Sequence, residues 1–166
     1  MNVVVLFLAI LVGLVLEVAL PTAAWLAQTT PPFLICVALY YALRRPLPLL
    51  LAIIVMGGAA ADSLGALPLG CTTLALAVLL LPIHAQRDII SSGQWHTEMI
   101  LGALTGGGLV LIQGIVLWLY GFALAPGWLG LKILVTAFYG LLLAPFVLRF
   151  LAGLDSMAGN LQEEAL

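Results

Sequence analysis

Only one charged residue, Glu17, occupies the first 43 positions of this chain, and the two later apolar stretches are almost as bare. Between Pro46 and Gln86 the only Asp, Glu, Lys or Arg is Asp62, and between Met99 and Leu148 it is Lys132. Soluble domains carry about 25% charged and roughly 45 to 50% apolar residues. Here the figures are 7% and 64%, with a mean hydropathy of +1.27. No water-soluble fold has interior enough to hide that much apolar surface. A membrane-crossing helix needs about 20 mostly apolar residues, so the 166 residues accommodate about six spans with short connections. The expectation is an all-α integral membrane protein, a six-helix transmembrane bundle forming a single domain, with five spans as the fallback.

The apolar stretches are punctuated by proline, glycine and a few polar residues. Span 1 is expected at about 3–24, followed by a polar turn through Gln28, Thr29, Thr30, Pro31 and Pro32. The paired prolines suit the start of a helix, and span 2 covers about 32–43 before Arg44-Arg45-Pro46, whose arginines can snorkel to the interface. Span 3, about 47–61, runs into Asp62-Ser63-Leu64-Gly65-Ala66-Leu67-Pro68-Leu69-Gly70. That segment mixes turn formers with apolar residues, which predicts a re-entrant turn between helices 3 and 4, tolerated at membrane depth where other helices shield it.

Span 4 is expected at about 71–85, and the polar stretch Asp88 to Glu98 suits a short interfacial helix. Span 5, about 99–122, contains Gly102 and Gly106 in small-xxx-small spacing, followed by Gly107 and Gly108. Such a patch lets helices approach closely, either within this chain or against another protein's helix. Pro126, Gly127, Trp128 and Gly130 are expected to turn, span 6 to cover about 131–151, and a short solvated tail, 152–166, to carry Asp155, Glu163 and Glu164.

Arg44, Arg45, Arg87 and Arg149 all fall on one side of a six-span arrangement and only Lys132 on the other. The positive-inside rule then places both termini in the cytoplasm. The first segment has no Lys or Arg before its apolar run, so it reads as a retained span and not as a signal peptide. A net charge of −2 without a basic patch gives no reason to expect nucleic acid as a partner. Cys36 and Cys71 are isolated in apolar surroundings and read as buried small residues.

A carboxylate in mid-span costs about 2.5 to 3.5 kcal/mol on insertion scales, so Glu17 and Asp62 need a reason. Glu17 reads either as reaching the outer headgroups or as hydrogen-bonding inside the bundle. Asp62 sits at the unfavourable C-terminal end of its helix dipole. It reads either as a cap on the following turn through an Asx-type hydrogen bond, holding the segment that ends at Gly70, or as a binding or proton-linked site. His84, His96, Asp88 and Glu98 show no metal-ligand spacing and read as exposed loop residues, and no nucleophile or phosphate-loop motif appears. No enzyme, cofactor or metal site is expected.

The order of these motifs resembles the MreD family, small membrane proteins of the bacterial cell-elongation machinery. The resemblance covers roughly the first half of the chain. It rests on Leu20-Pro21, on the proline-led second span from Pro31-Pro32-Phe33 to Tyr40-Tyr41-Ala42-Leu43-Arg44-Arg45-Pro46, and above all on Gly57-Gly58-Ala59-Ala60-Ala61-Asp62-Ser63-Leu64-Gly65-Ala66-Leu67-Pro68-Leu69-Gly70. Tyr41 stands where the family often has Trp, and the middle glycine is displaced to Gly65.

The resemblance implies a six-span bundle with both termini cytoplasmic in the bacterial inner membrane, similar in fold to the substrate-binding S-components of energy-coupling-factor transporters. It also implies a non-catalytic scaffold that binds the membrane helix of MreC and helps couple MreB filaments to peptidoglycan synthesis by RodA and its transpeptidase partner. Asp62, Pro68, Gly70, Gly102, Gly106 and Glu17 are the structural or partner-binding candidates, with lipid a further contact. The competing reading is a vitamin-binding transporter subunit, in which Glu17, Gln28, Asp62 and Gln113 would supply polar groups. A lipid-modifying membrane enzyme is a third possibility and lacks any visible catalytic group.

Overall fold

The computed structural model describes residues 10–15, 17, 29, 31–64, 68–87, 94–122 and 125–157. Among these residues the chain is all-helical, with six helical segments and no β-strand of two or more residues. Helix α1 is represented by residues 10–15 and 17. It is followed by α2 (Phe33–Arg44), α3 (Leu47–Leu64), α4 (Cys71–Ala85), α5 (Trp95–Leu119) and α6 (Pro126–Met157). Three of these, α3, α5 and α6, are long and apolar enough to cross a membrane.

The shortest complete helix is the centre of the bundle. Every residue of α2 from Leu34 to Leu43 is buried, and the helix touches α3, α4, α5 and α6. A helix that is apolar all round belongs in an interior. That accounts for its 12 residues, since a helix sheathed by longer neighbours need not match the hydrocarbon thickness. Leu50, Ile53, Leu76, Leu80, Ala144 and Leu148 pack around it. Outward, the bundle presents large apolar side chains such as Val55, Leu74, Ile100, Leu104, Leu134, Phe138 and Phe146, all exposed, the distribution expected when the surrounding medium is itself apolar.

Small residues at a helix interface let two backbones approach closely. The closest contact is made by α5 and α6. A Cβ on Gly102 would stand 2.3 Å from the Gly140 carbonyl oxygen and 2.4 Å from Ala144 Cβ, and one on Gly140 would stand 2.1 Å from the Gly102 carbonyl oxygen. A Cβ on Gly106 would lie 2.9 Å from the Thr136 carbonyl oxygen. The glycine patch of α5 is thus used inside this chain, with α6 occupying the faces of Gly102 and Gly106.

Several expectations are corrected. Pro126 to Gly130 form the first turn of α6 and not a loop, because proline at the first helical position loses no intrahelical bond. At its other end α6 continues to Met157, so Asp155 is not in a solvated tail but 3% exposed inside the bundle. Glu98 belongs to the first turn of α5 and is buried, and His84 lies within α4, half-buried, with Nδ1 2.8 Å from the Ala42 carbonyl oxygen. His96, by contrast, is exposed. Cys36 and Cys71 are buried free thiols. Residues 65–67, the middle of the expected re-entrant turn, and Asp88 lie outside the described residues, as do Gln28, Glu163 and Glu164.

Candidate functional site

The bundle has two chemically different ends. At the end where α2 finishes and α6 finishes, Arg45 makes a buried ion pair with Asp155, Nη2 to Oδ2 at 2.6 Å. The Tyr40 hydroxyl donates to the same carboxylate. Arg87, beyond α4, donates from Nη1 to the Arg45 carbonyl at 3.1 Å, and Arg149 of α6 lies over the Trp95 ring at 4.2 Å. Arg45 therefore does not snorkel outward as expected. A charge as strongly donating as guanidinium is retained in an interior when a carboxylate meets it there.

At the opposite end stand Glu17, Asp62 and Lys132. Asp62 is 2% exposed and bridges the gap between α3 and α4. Its Oδ2 accepts from the Gly70 backbone N–H at 2.8 Å and its Oδ1 from that of Thr72 at 2.9 Å. The bonds span 8 and 10 residues, so this is not a local Asx turn. Instead a carboxylate at the end of one helix caps the start of the next, where orphan N–H groups and the positive end of the dipole favour an anion. Gly70 makes the geometry possible: its φ is +94°, a left-handed conformation that glycine adopts without strain. Pro68 lends its carbonyl to the Cys71 N–H at 3.1 Å, closing the same turn.

Glu17 does the equivalent for α2, taking a hydrogen bond from the Leu34 backbone. Prolines at 31 and 32 have no N–H to offer, so Leu34 is among the first donors that this helix presents. The second carboxylate oxygen, Oε2, is buried and has no hydrogen-bond partner among the described residues.

That oxygen belongs to a residue lining a cavity of about 220 Å³. Polar side chains in its wall are those of Glu17, Thr29, Thr72, Gln113, Lys132 and Thr136, and the remaining lining is apolar. Gln113 Nε2 donates to Thr72 Oγ1 at 3.1 Å, joining α5 to α4, while Thr136 Oγ1 donates to the Lys132 carbonyl at 2.8 Å. The Lys132 ammonium stands over the Trp128 ring, 4.9 Å from its centroid. Among the described residues it makes no ion pair with a carboxylate.

Of the residues singled out in the sequence, Asp62, Pro68 and Gly70 therefore come together in one turn, Glu17 and Gln113 line one cavity, and Gly102 and Gly106 serve the α5–α6 contact. Sequence reasoning missed the roles of Lys132, Thr72 and Thr136. The available signal was that Lys132 is the only cation on its side of the chain. The Arg45–Asp155–Tyr40 cluster was missed altogether.

No protein-family model matches the chain, and the searches of curated proteins and of solved structures also give no match.

Proposed function

We propose that this chain is a non-catalytic membrane scaffold of the MreD kind, acting in the bacterial inner membrane with both termini in the cytoplasm. It binds MreC and helps couple MreB filaments to peptidoglycan synthesis by RodA and its transpeptidase partner. The observation that carries the reading is the turn held by Asp62. The residues on which the resemblance rests most heavily, Asp62, Pro68 and Gly70, are the ones that close it. The cluster of Arg45, Arg87 and Arg149 at one end and Lys132 at the other is in keeping with an arginine-rich cytoplasmic side.

A scaffold with short connections has to meet its partners through helix surfaces. Co-purification of the full chain with MreC in mild detergent tests the proposal, and a stable complex is expected. Two well-folded proteins that fail to associate would overturn it. In cells, depletion is expected to turn rods into widening, rounded cells.

A transporter substrate-binding subunit is the second reading, favoured by the polar lining of the cavity. Its volume, about 220 Å³, is below the roughly 300 to 1,000 Å³ common for drug-sized ligands, which is small for a vitamin. Ligand-dependent stabilisation across a vitamin panel distinguishes this reading from the scaffold.

A further inference from the structure

Glu17 and Lys132 line one cavity, and among the described residues they make no ion pair with each other. Ionisable side chains inside a bilayer are expensive and are placed where they serve a site, a path or a partner. This chain is 7% charged, yet one of its acids and one of its bases line the same small space. All six helices meet there, with Glu17 from α1, Ile35 from α2, Ala61 from α3, Thr72 from α4, Gln113 from α5 and Lys132 from α6.

The hydrogen-bonding capacity left over is specific. Glu17 accepts a hydrogen bond from the Leu34 backbone through its carboxylate, and its Oε2 is buried and without a partner among the described residues, an arrangement that costs free energy until a donor fills it. The Lys132 ammonium has three donors and rests over an aromatic ring. Three threonines and Gln113 complete the polar lining. The space exceeds several waters, each taking about 30 Å³ in the liquid.

We infer that this cavity binds a small zwitterion, a primary ammonium group directed to Glu17 Oε2 and an anionic carboxylate or phosphate group directed to Lys132. A free amino acid and the headgroup of an ethanolamine phospholipid share that chemistry. A quaternary ammonium does not, because it has no N–H to donate to the carboxylate. The inference takes the cavity as it stands and holds under either reading of function above.

The test uses the full chain in detergent and in nanodiscs. In detergent, thermal shift and calorimetric titration are run with a panel of L-amino acids, O-phosphoethanolamine and phosphocholine. In nanodiscs of phosphatidylethanolamine or of phosphatidylcholine alone, native mass spectrometry reads which lipid is retained.

Saturable stabilisation by an amino acid identifies a soluble ligand. Retention of phosphatidylethanolamine over phosphatidylcholine identifies a lipid headgroup, with O-phosphoethanolamine as its soluble mimic. In either case Glu17→Gln and Lys132→Gln are each expected to weaken binding about tenfold or more, the effect of losing one charge-assisted hydrogen bond. Glutamine at 17 keeps an acceptor for Leu34, and helical content by circular dichroism is expected to be unchanged.

Wild-type protein that is monodisperse and helical yet responds to no zwitterion in either arm overturns the inference. So does binding undiminished in both variants, or phosphocholine bound as tightly as O-phosphoethanolamine. Capture of MreC by Glu17→Gln is measured in parallel, so that loss of the ligand and loss of the scaffold role are read separately.

Discussion

The carboxylate of Asp155, two residues from the end of α6, meets the guanidinium of Arg45, just past α2, at 2.6 Å with both side chains buried. This pair fastens the last helix to the central one, and Tyr40 adds a hydroxyl to it from the final turns of α2. Removing one partner strands the other charge in the interior, at about 3 to 5 kcal/mol. Arg45→Ala and Asp155→Ala are each expected to lower the melting temperature in detergent sharply. Arg45→Met combined with Asp155→Leu is expected to recover much of the loss, because no charge is left unpaired. A double variant as unstable as the singles would contradict this account.

Asp62→Ala leaves the N–H groups of Gly70 and Thr72 without their acceptor. Loss of a helix cap typically costs about 0.5 to 2 kcal/mol, and burial of Asp62 and of the Thr72 N–H places this site at the upper end. Asp62→Asn keeps one acceptor oxygen and is expected to lie between wild type and alanine. Thermal unfolding followed by circular dichroism ranks the three, and equal stability of all three would show that the cap is idle.

At Gly70 the backbone itself is the constraint. With φ at +94° and open space around the position of a Cβ, Gly70→Ala meets no clash and pays only for the left-handed conformation, about 1 to 2 kcal/mol. Gly70→Asn should be milder, since asparagine visits that region more readily. The order glycine, asparagine, alanine in melting temperature is the expected result.

The α5–α6 contact predicts a sharp contrast among glycines. Gly102→Ala would drive a methyl into the Gly140 carbonyl and Ala144, overpacking that commonly costs about 1 to 3 kcal/mol, and Gly102→Leu is expected to separate the helices altogether. Gly130 and Gly153 lie within α6 with nothing within 4 Å of a Cβ. Alanine there is expected to be neutral or stabilising by up to about 1 kcal/mol through helix propensity. Comparable losses at all three positions would remove the basis for a specific Gly102–Gly140 contact.

Helix locations were legible because hydropathy is a local property. The stretch Cys71–Ala85 is bounded by Gly70 and Gln86 in the sequence and forms that helix in the structure. Asp62 was also conspicuous, since a carboxylate amid apolar residues is costly wherever the chain goes. What it touches was not legible, because its acceptor bonds reach across residues that only the folded turn brings near. Asp155 shows the limit most clearly: surrounded in sequence by Gly153, Ser156 and Gly159, it has the local character of a solvated tail. Its burial depends on Tyr40, 115 residues away.

The sequence by itself thus determined that the chain is helical and apolar, where most of its helices run, and that its few charges segregate to opposite ends. Only the tertiary structure decided that the 12-residue α2 is the core, that Gly102 and Gly106 of α5 are covered by α6, and that Glu17 and Lys132 share one cavity. The reason is physical. A residue's transfer free energy depends on its own side chain and can be read along the chain, whereas packing and charge pairing depend on which faces meet, and that is set by all the helices together.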